Sequence, residues 1–112
     1  MTDPTDSFFG ELSHRGRDPR LRDIAATVRV DVADGEQTGS WRLIIDHGAV
    51  EVAPGDGAAD CVIAGERSLF NGIVRGDTNA MAALLRGELC VSGNPEMLVG
   101  VSRLFPGRGK HS

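Results

Sequence analysis

The chain has 112 residues, of which 40% are hydrophobic and 25% charged, and its formal net charge is −4. This length is enough for one domain with a core of its own, and the composition is typical of a globular protein. The acidic balance and the 4% of aromatic residues argue against a nucleic-acid partner, because such partners require basic surfaces with aromatic rings for stacking.

The first part of the chain, residues 1–23, predicts a short helix followed by a connector. Phe8, Phe9 and Leu12 have helical spacing, and Asp6 is the expected N-cap. Residues 14–20 then break the periodicity and are typical of an exposed connector. The acidic start lacks the features of a secretion signal, and no apolar run is long enough to cross a membrane, so we expect a cytoplasmic protein. One lysine beside many arginines, alanines and glycines suggests a bacterial gene.

An alternation of apolar and polar residues predicts three consecutive strands. The apolar positions are Val28, Val30 and Val32, then Trp41, Leu43 and Ile45, then Val50 and Val52. Turn residues at Asp34-Gly35 and His47-Gly48 join these strands into an antiparallel meander. The loop of residues 54–59 allows a crossover, after which the apolar run of residues 61–63 predicts a fourth, central strand.

The second half of the chain predicts helices interrupted by a fifth strand. Two short helices carry apolar stripes, made of Leu69, Phe70, Ile73 and Val74 in the first and of Met81, Leu84 and Leu85 in the second. Residues 88–92 alternate as a strand, and Asn94 and Pro95 are a typical start for a last helix. Its apolar arc comprises Met97, Leu98, Val101, Leu104 and Phe105. The expected fold is therefore α+β, a five-stranded sheet covered by helices, with residues 106–112 as a disordered tail.

The residue types that carry catalysis, metal binding or cofactor binding do not form a convincing group. Gly55-Asp56-Gly57 lacks the third glycine and the following helix of a dinucleotide loop. His14, His47 and His111 lie in a connector, a turn and a tail, without partners at metal-ligand spacing. No nucleophile motif is present, and Cys61 and Cys90 are expected to be structural thiols. We therefore expect a protein that is not an enzyme, with no catalytic residue, no metal and no cofactor.

The order of elements resembles that of the sterol carrier protein 2 (SCP2) domain. The most specific part is the series from Gly87 to Phe105, in which a glycine, an alternating strand, Gly93-Asn94 and an amphipathic helix follow one another; Trp41 after a polar hairpin adds support. The resemblance covers residues 24–105, from Ile24 to Phe105. We take these residues as the lipid-binding domain. It implies a twisted five-stranded sheet with helices on its faces. It also implies a tunnel between sheet and helices that takes a sterol, fatty acid, acyl-CoA or phospholipid.

The leading hypothesis is a noncatalytic lipid carrier with an apolar tunnel. Its expected ligand-binding wall consists of Phe70, Ile73, Val74, Met81, Leu84, Leu85, Met97, Val101, Leu104 and Phe105. The alternative is an SCP2-like interaction or dimerisation module with a collapsed cavity, accessory to a separate lipid-metabolising enzyme. Its contact surface would be the exposed arc of the last helix or the edge of the third strand around Val50 and Val52. Membrane contact is expected to be transient at most, because the basic tail holds too few cations to anchor the protein.

Overall fold

The structure, a computed structural model, describes residues 3–94, 96 and 100. Helix α1 spans Pro4–Arg15, and a single 3₁₀ turn follows at Pro19–Leu21. The strands are β1 (Ala25–Asp34), β2 (Gln37–Asp46), β3 (Ala49–Pro54), β4 (Cys61–Glu66) and β5 (Cys90–Gly93). Helices α2 (Arg67–Arg75) and α3 (Ala80–Leu85) lie between β4 and β5 in the chain.

The five strands form one sheet in the order β3-β2-β1-β4-β5. Strands β1, β2 and β3 are an antiparallel meander, and the chain then crosses over so that β4 runs parallel to β1, with Val28 opposite Cys61. Strand β5 pairs antiparallel with β4. These findings confirm the predicted meander, crossover and fifth strand. The predicted last helix lies outside the described residues except for Glu96 and Gly100, which are helical.

One face of the sheet, the inner face, forms the core. Because side chains alternate between faces, the valines of β1 and the apolar residues of the neighbouring strands all point to this side. The buried members are Val28, Val30, Val32, Leu43, Ile45, Val50, Cys61 and Ile63. Helices α1, α2 and α3 contribute Phe9, Leu12, Phe70, Ile73, Ala80 and Ala83 to the same cluster. Residues on the opposite, outer face are partly or fully exposed.

Helix α1 belongs to this core. Phe9 and Leu12 are buried, and the Phe9 ring stacks on Trp41 with 5.2 Å between ring centroids. The prediction that Asp6 caps the helix is wrong: the Asp3 carboxylate accepts from the backbone N–H groups of Thr5 and Asp6. Pro4 then occupies the first turn, where its missing N–H costs nothing, so the helix begins earlier than its apolar spacing indicates.

The connector after α1 is bound to the sheet, in contrast to the exposed segment expected from the sequence. The Val50 N–H donates to the Gly16 carbonyl (2.9 Å), and Arg17 forms a β-bridge with Ala49. Asp18 is buried, and its carboxylate accepts from the Arg20 side chain. The connector therefore covers the edge of β3 at Val50, and the expectation that this edge is open for a partner is wrong there.

The apolar stripe predicted for helix α3 is wrong at Leu85, whereas Met81 and Leu84 do pack against the core. Ala80 and Ala83 are buried, Met81 and Leu84 are partly buried, and the Leu85 side chain is 85% exposed. Positions i, i+3 and i+4 from Ala80 define the inward face, and Leu85 lies about 200° around the helix from Ala83. The buried positions of this six-residue helix are thus its small alanines, and the larger side chains lie at its margin.

Gly100 is buried and lies close to Ile24. A Cβ at Gly100 would lie 2.5 Å from the Ile24 Cδ1 atom, so the close approach requires glycine there. None of the helices within residues 3–94 is long and apolar enough to cross a membrane.

Candidate functional site

An open groove of about 580 Å³ lies where α2 begins and where the chain passes from α3 to β5. It is lined by Glu66, Ser68, Leu69, Thr78, Arg86, Gly87 and Glu88. Small-molecule sites commonly enclose about 300 to 1,000 Å³, so the groove is large enough for a sizeable ligand.

Next to the groove, three apolar side chains form a wedge over Gly65 of the sheet. Gly65 of β4 has no side chain, and a Cβ there would lie 3.1 Å from the Leu69 Cδ2 atom and 3.3 Å from both Leu89 Cδ1 and Phe70 Cε2. The side chains of Leu69, Leu89 and Phe70 therefore converge over this glycine. Leu89 and Phe70 are buried, whereas Leu69 is partly exposed and lines the groove.

The rim of the groove is polar. Arg86 Nη2 donates to a carboxylate oxygen of Glu88 (2.8 Å), and both side chains are half-exposed. Gly87 between them has φ 81°, a left-handed conformation that ends α3 and turns the chain toward β5. The lining therefore combines one large apolar side chain, Leu69, with polar and charged side chains at the rim.

The predicted wall residues are divided among several environments. Phe70 and Ile73 are buried in the core, and Met81 and Leu84 pack partly buried against it. Val74 lines a separate open groove of about 260 Å³ between α1 and α2, together with Phe8. Leu85 is exposed and lines no apolar wall in the described residues, so the prediction that it belongs to the ligand-binding wall is wrong. Met97, Val101, Leu104 and Phe105 lie outside the described residues.

Gly65 and Leu89 were not predicted as site residues, and Leu69 was predicted to lie on an apolar helix stripe but not in the ligand-binding wall. A signal for Gly65 was available, because Cys61, Ile63 and Gly65 share the inward face of β4. A glycine at an inward strand position indicates that a neighbouring element fills the space of its side chain. That neighbour is the pair of leucines from two separate segments, and a single strand cannot identify them.

The described residues that could react chemically are dispersed. Burial, together with the nearby Asp60 charge, raises the pKa of the Cys61 thiol and keeps it neutral, while Cys90 is free and exposed on β5. The His47 ring lies 2.9 Å from the Asp46 carboxylate, and both groups are exposed at a turn. Within the described part of the chain, no three His, Cys, Asp or Glu side chains are placed to share a metal ion.

Comparison with known proteins gives a consistent result. The family model of the SCP-2 sterol transfer family matches residues 9–106. No curated protein matches the sequence. Among solved structures, apo sterol carrier protein 2 from Yarrowia lipolytica has a TM-score of 0.70 at 20% identity, over 91% of this chain and 84% of that one.

Two other structural neighbours carry functional descriptions. Sterol carrier protein 2 from Aedes aegypti, in complex with the C16 fatty acid palmitate, has a TM-score of 0.67 at 18% identity, over 95% of this chain and 100% of that one. The protein described as UbiJ-SCP2 ubiquinone synthesis protein has a TM-score of 0.65 at 24% identity, over 89% and 90%. These likenesses establish the fold and leave the ligand of this chain to be argued from its own residues.

Proposed function

Because the chain belongs to the SCP-2 sterol transfer family, we propose that it binds a lipid with a long apolar part and carries it without chemical change. The expected ligands are a sterol, a fatty acid or a fatty acyl-CoA. The alkyl or ring portion enters past Leu69 toward the core, and the polar end stays at the rim of Arg86 and Glu88. The palmitate complex of an Aedes aegypti relative supports this assignment.

The observation that carries the proposal is the wedge over Gly65. Leu69 lines the groove and is also packed, partly buried, against the core. Met81, Leu84 and Val91 are also only partly buried against the core, so α3 and β5 offer apolar surface beyond what the core covers. The proposed wall includes Phe70 and Ile73 of the same core cluster. It also includes the predicted residues Met97, Val101, Leu104 and Phe105, which lie outside the described residues.

Energetics favour a space that the ligand itself fills. An empty apolar cavity costs about 24 cal/mol per Å³, so a few hundred Å³ would cost on the order of 10 kcal/mol. This rivals the whole stability of a domain, about 5 to 15 kcal/mol. A chain of roughly 15 carbons gains about 12 kcal/mol on burial, and association removes about 4 to 15 kcal/mol. The resulting affinity is modest and reversible, as a carrier requires.

A fluorescent fatty acid titration tests the proposal, with the sole tryptophan, Trp41, as the second probe. We expect saturable binding by the wild type. Leu69→Gln should weaken it about tenfold, because a polar amide replaces a partly buried apolar side chain worth about 1.5 to 3 kcal/mol when fully buried. Leu85→Gln is the matched control and should bind as the wild type does, since Leu85 is 85% exposed. Lipid-free mass spectra of natively purified protein, together with no saturable response, would refute the carrier.

A second function is supported by the likeness to a ubiquinone synthesis protein. In this alternative the chain is an accessory module of a separate enzyme, or a dimer, and its cavity is collapsed. The partly exposed outer face of the sheet would then be the contact, because the β3 edge is covered at Val50. A concentration-dependent dimer in light scattering, without lipid uptake, would favour this alternative over the carrier.

We propose that the protein acts in the cytoplasm. We also propose that it catalyses no reaction, which the dispersed histidines and the neutral Cys61 thiol support. Incubation of the protein with a fatty acyl-CoA should leave the thioester intact, and measurable hydrolysis above a buffer control would contradict it.

A further inference from the structure

Two arginines lie directly opposite each other on the outer face of the sheet. Arg29 of β1 pairs with Arg42 of β2 in the antiparallel register. Side chains at directly opposite positions have Cβ atoms about 4.5 to 5.5 Å apart, and like charges there are destabilising. Both side chains are partly buried rather than extended into solvent, so the protein holds two positive charges together in a chain whose net charge is −4.

The charge of Arg29 is compensated within the protein. Its Nε and Nη2 atoms donate to the two carboxylate oxygens of Asp31 (3.0 and 3.1 Å). Its Nη1 atom donates to the carbonyl oxygens of Asp56 and Gly57 in the crossover loop (3.0 and 3.3 Å). A guanidinium has five N–H donors, and these four bonds leave one free on Nη2. Ser40 also donates to Asp31 and fixes that carboxylate on Arg29.

The charge of Arg42 has no such compensation among the described residues. Its Nε atom is shielded from solvent, and none of the residues in 3–94 accepts its hydrogen. The crossover loop covers it, because a Cβ at Gly57 would lie 3.0 Å from the Arg42 Cζ atom. Glu51 lies on the same face of β3, two residues from Ala53, the register partner of Arg42, and it forms no ion pair with Arg42. The cluster of Arg29, Asp31 and Arg42 thus keeps a net charge of +1.

We propose that Arg42, Arg29 and the crossover loop form a binding site for a phosphate group on the outer face of the sheet. Arg42 supplies its two Nη nitrogens, and the free Nη2 hydrogen of Arg29 supplies a donor from the neighbouring strand. Guanidinium groups bind phosphate oxygens in bidentate geometry, and a dianion offsets the repulsion between the two arginines. Gly57 leaves the loop close to the guanidinium where any side chain would intrude.

The proposed phosphate site does not rest on the proposed lipid function, because Arg29 and Arg42 lie on the face of the sheet opposite the core. Arg29 lies between the buried Val28 and Val30 in β1, and Arg42 precedes the buried Leu43 in β2. Because side chains alternate along a strand, both arginines face away from these apolar residues. Loss of fatty acid binding and loss of phosphate binding can therefore be measured separately on one protein.

The test titrates inorganic phosphate into the full chain and follows amide resonances by NMR. The Gly57 N–H should shift and saturate, while Gly35, in the β1–β2 turn, should stay constant. Melting temperature should rise by about 5 °C at ten times the dissociation constant. Chloride at equal ionic strength should give neither effect. Absence of a saturable Gly57 shift, or an equal shift with chloride, would overturn the proposal.

Variants identify the residue and the source of the phosphate. Arg42→Gln should lose the phosphate-induced rise in melting temperature and keep fatty acid binding, whereas Arg75→Gln, a change at an exposed arginine, should keep both. An equal rise in Arg42→Gln and wild type would overturn the assignment. Phosphatidylcholine vesicles with and without phosphatidic acid distinguish the sources: vesicle binding that needs both phosphatidic acid and Arg42 identifies a lipid headgroup. Binding of free phosphate without vesicle binding identifies a soluble phosphate compound.

Discussion

The stability of the Ile73→Ala variant shows whether Ile73 is packed in a filled core or lines an empty cavity. Ile73 is 1% exposed on α2 and belongs to the same cluster as Phe70 and the valines of β1. Ile73→Ala removes three carbons, worth about 2.4 kcal/mol of transfer free energy at 0.8 kcal/mol each. The unfilled space adds to this, and measured costs of such changes are about 2 to 5 kcal/mol. We expect a loss of about 3 to 4 kcal/mol in the free energy of unfolding.

The assay is urea denaturation of lipid-free protein followed by Trp41 fluorescence. Trp41 stacks on Phe9 of α1, so its emission reports the packing of that helix on the sheet. A loss of 3 to 4 kcal/mol corresponds to a fall in melting temperature of about 12 to 16 °C for a domain of this size. The dependence of the unfolding free energy on urea should be unchanged, because that slope reflects the surface exposed on unfolding.

Leu85→Ala is the matched control and should change stability by less than about 0.5 kcal/mol, since that side chain is 85% exposed. If Ile73→Ala costs less than about 1 kcal/mol, or no more than Leu85→Ala, the interior around α2 is not filled as described. In that case the reasoning that assigns Ile73 to the core would be wrong.

Two further predictions concern stability. Gly10→Ala in α1 should stabilise the protein by about 0.5 to 1 kcal/mol, because nothing lies within 4 Å of the new Cβ. Gly72→Ala in α2 should destabilise the protein by about 1 to 3 kcal/mol, because the new Cβ would lie 2.8 Å from Thr78 Oγ1. Both variants are measured by urea denaturation, and equal effects at the two glycines would contradict this reasoning. The hydrogen bond from Arg20 holds the pKa of Asp18 below its usual value of 3.8, so this carboxylate stabilises the fold above that pH and loses its contribution as pH falls through the folded pKa. Asp18→Asn should therefore cost about 1 to 2 kcal/mol near neutral pH and progressively less in acid, and a cost that is constant with pH would exclude a role for the charge.

The sheet could be predicted from the sequence because its signal is local. Alternating apolar residues and turn pairs such as His47-Gly48 identify each strand without knowledge of its neighbours. Both turn residues have positive φ, 51° and 97°, as a tight hairpin requires. The crossover was indicated by the loop of residues 54–59 and the apolar run of residues 61–63, so the fold class was accessible.

The site was less accessible because it depends on contacts between distant segments. Leu69 and Leu89 meet over Gly65, and a leucine pattern on one helix does not show which neighbour it will touch. Helix α3 is too short for its spacing to identify a face: Ala80 and Ala83 are buried in the structure, whereas Leu85 is exposed. Asp18 is buried because Arg20 offsets its charge, and no periodicity signals such a pair.

The backbone bonds between the connector and β3 have a consequence for the behaviour of concentrated solutions. A bare strand border invites a second polypeptide to add on, and successive additions produce fibrils. Here the Gly16 carbonyl and the Arg17 bridge occupy that border at Ala49 and Val50. Proteolytic clipping before Asp18 would strip this cover, so a truncated form should precipitate where the whole chain remains dispersed.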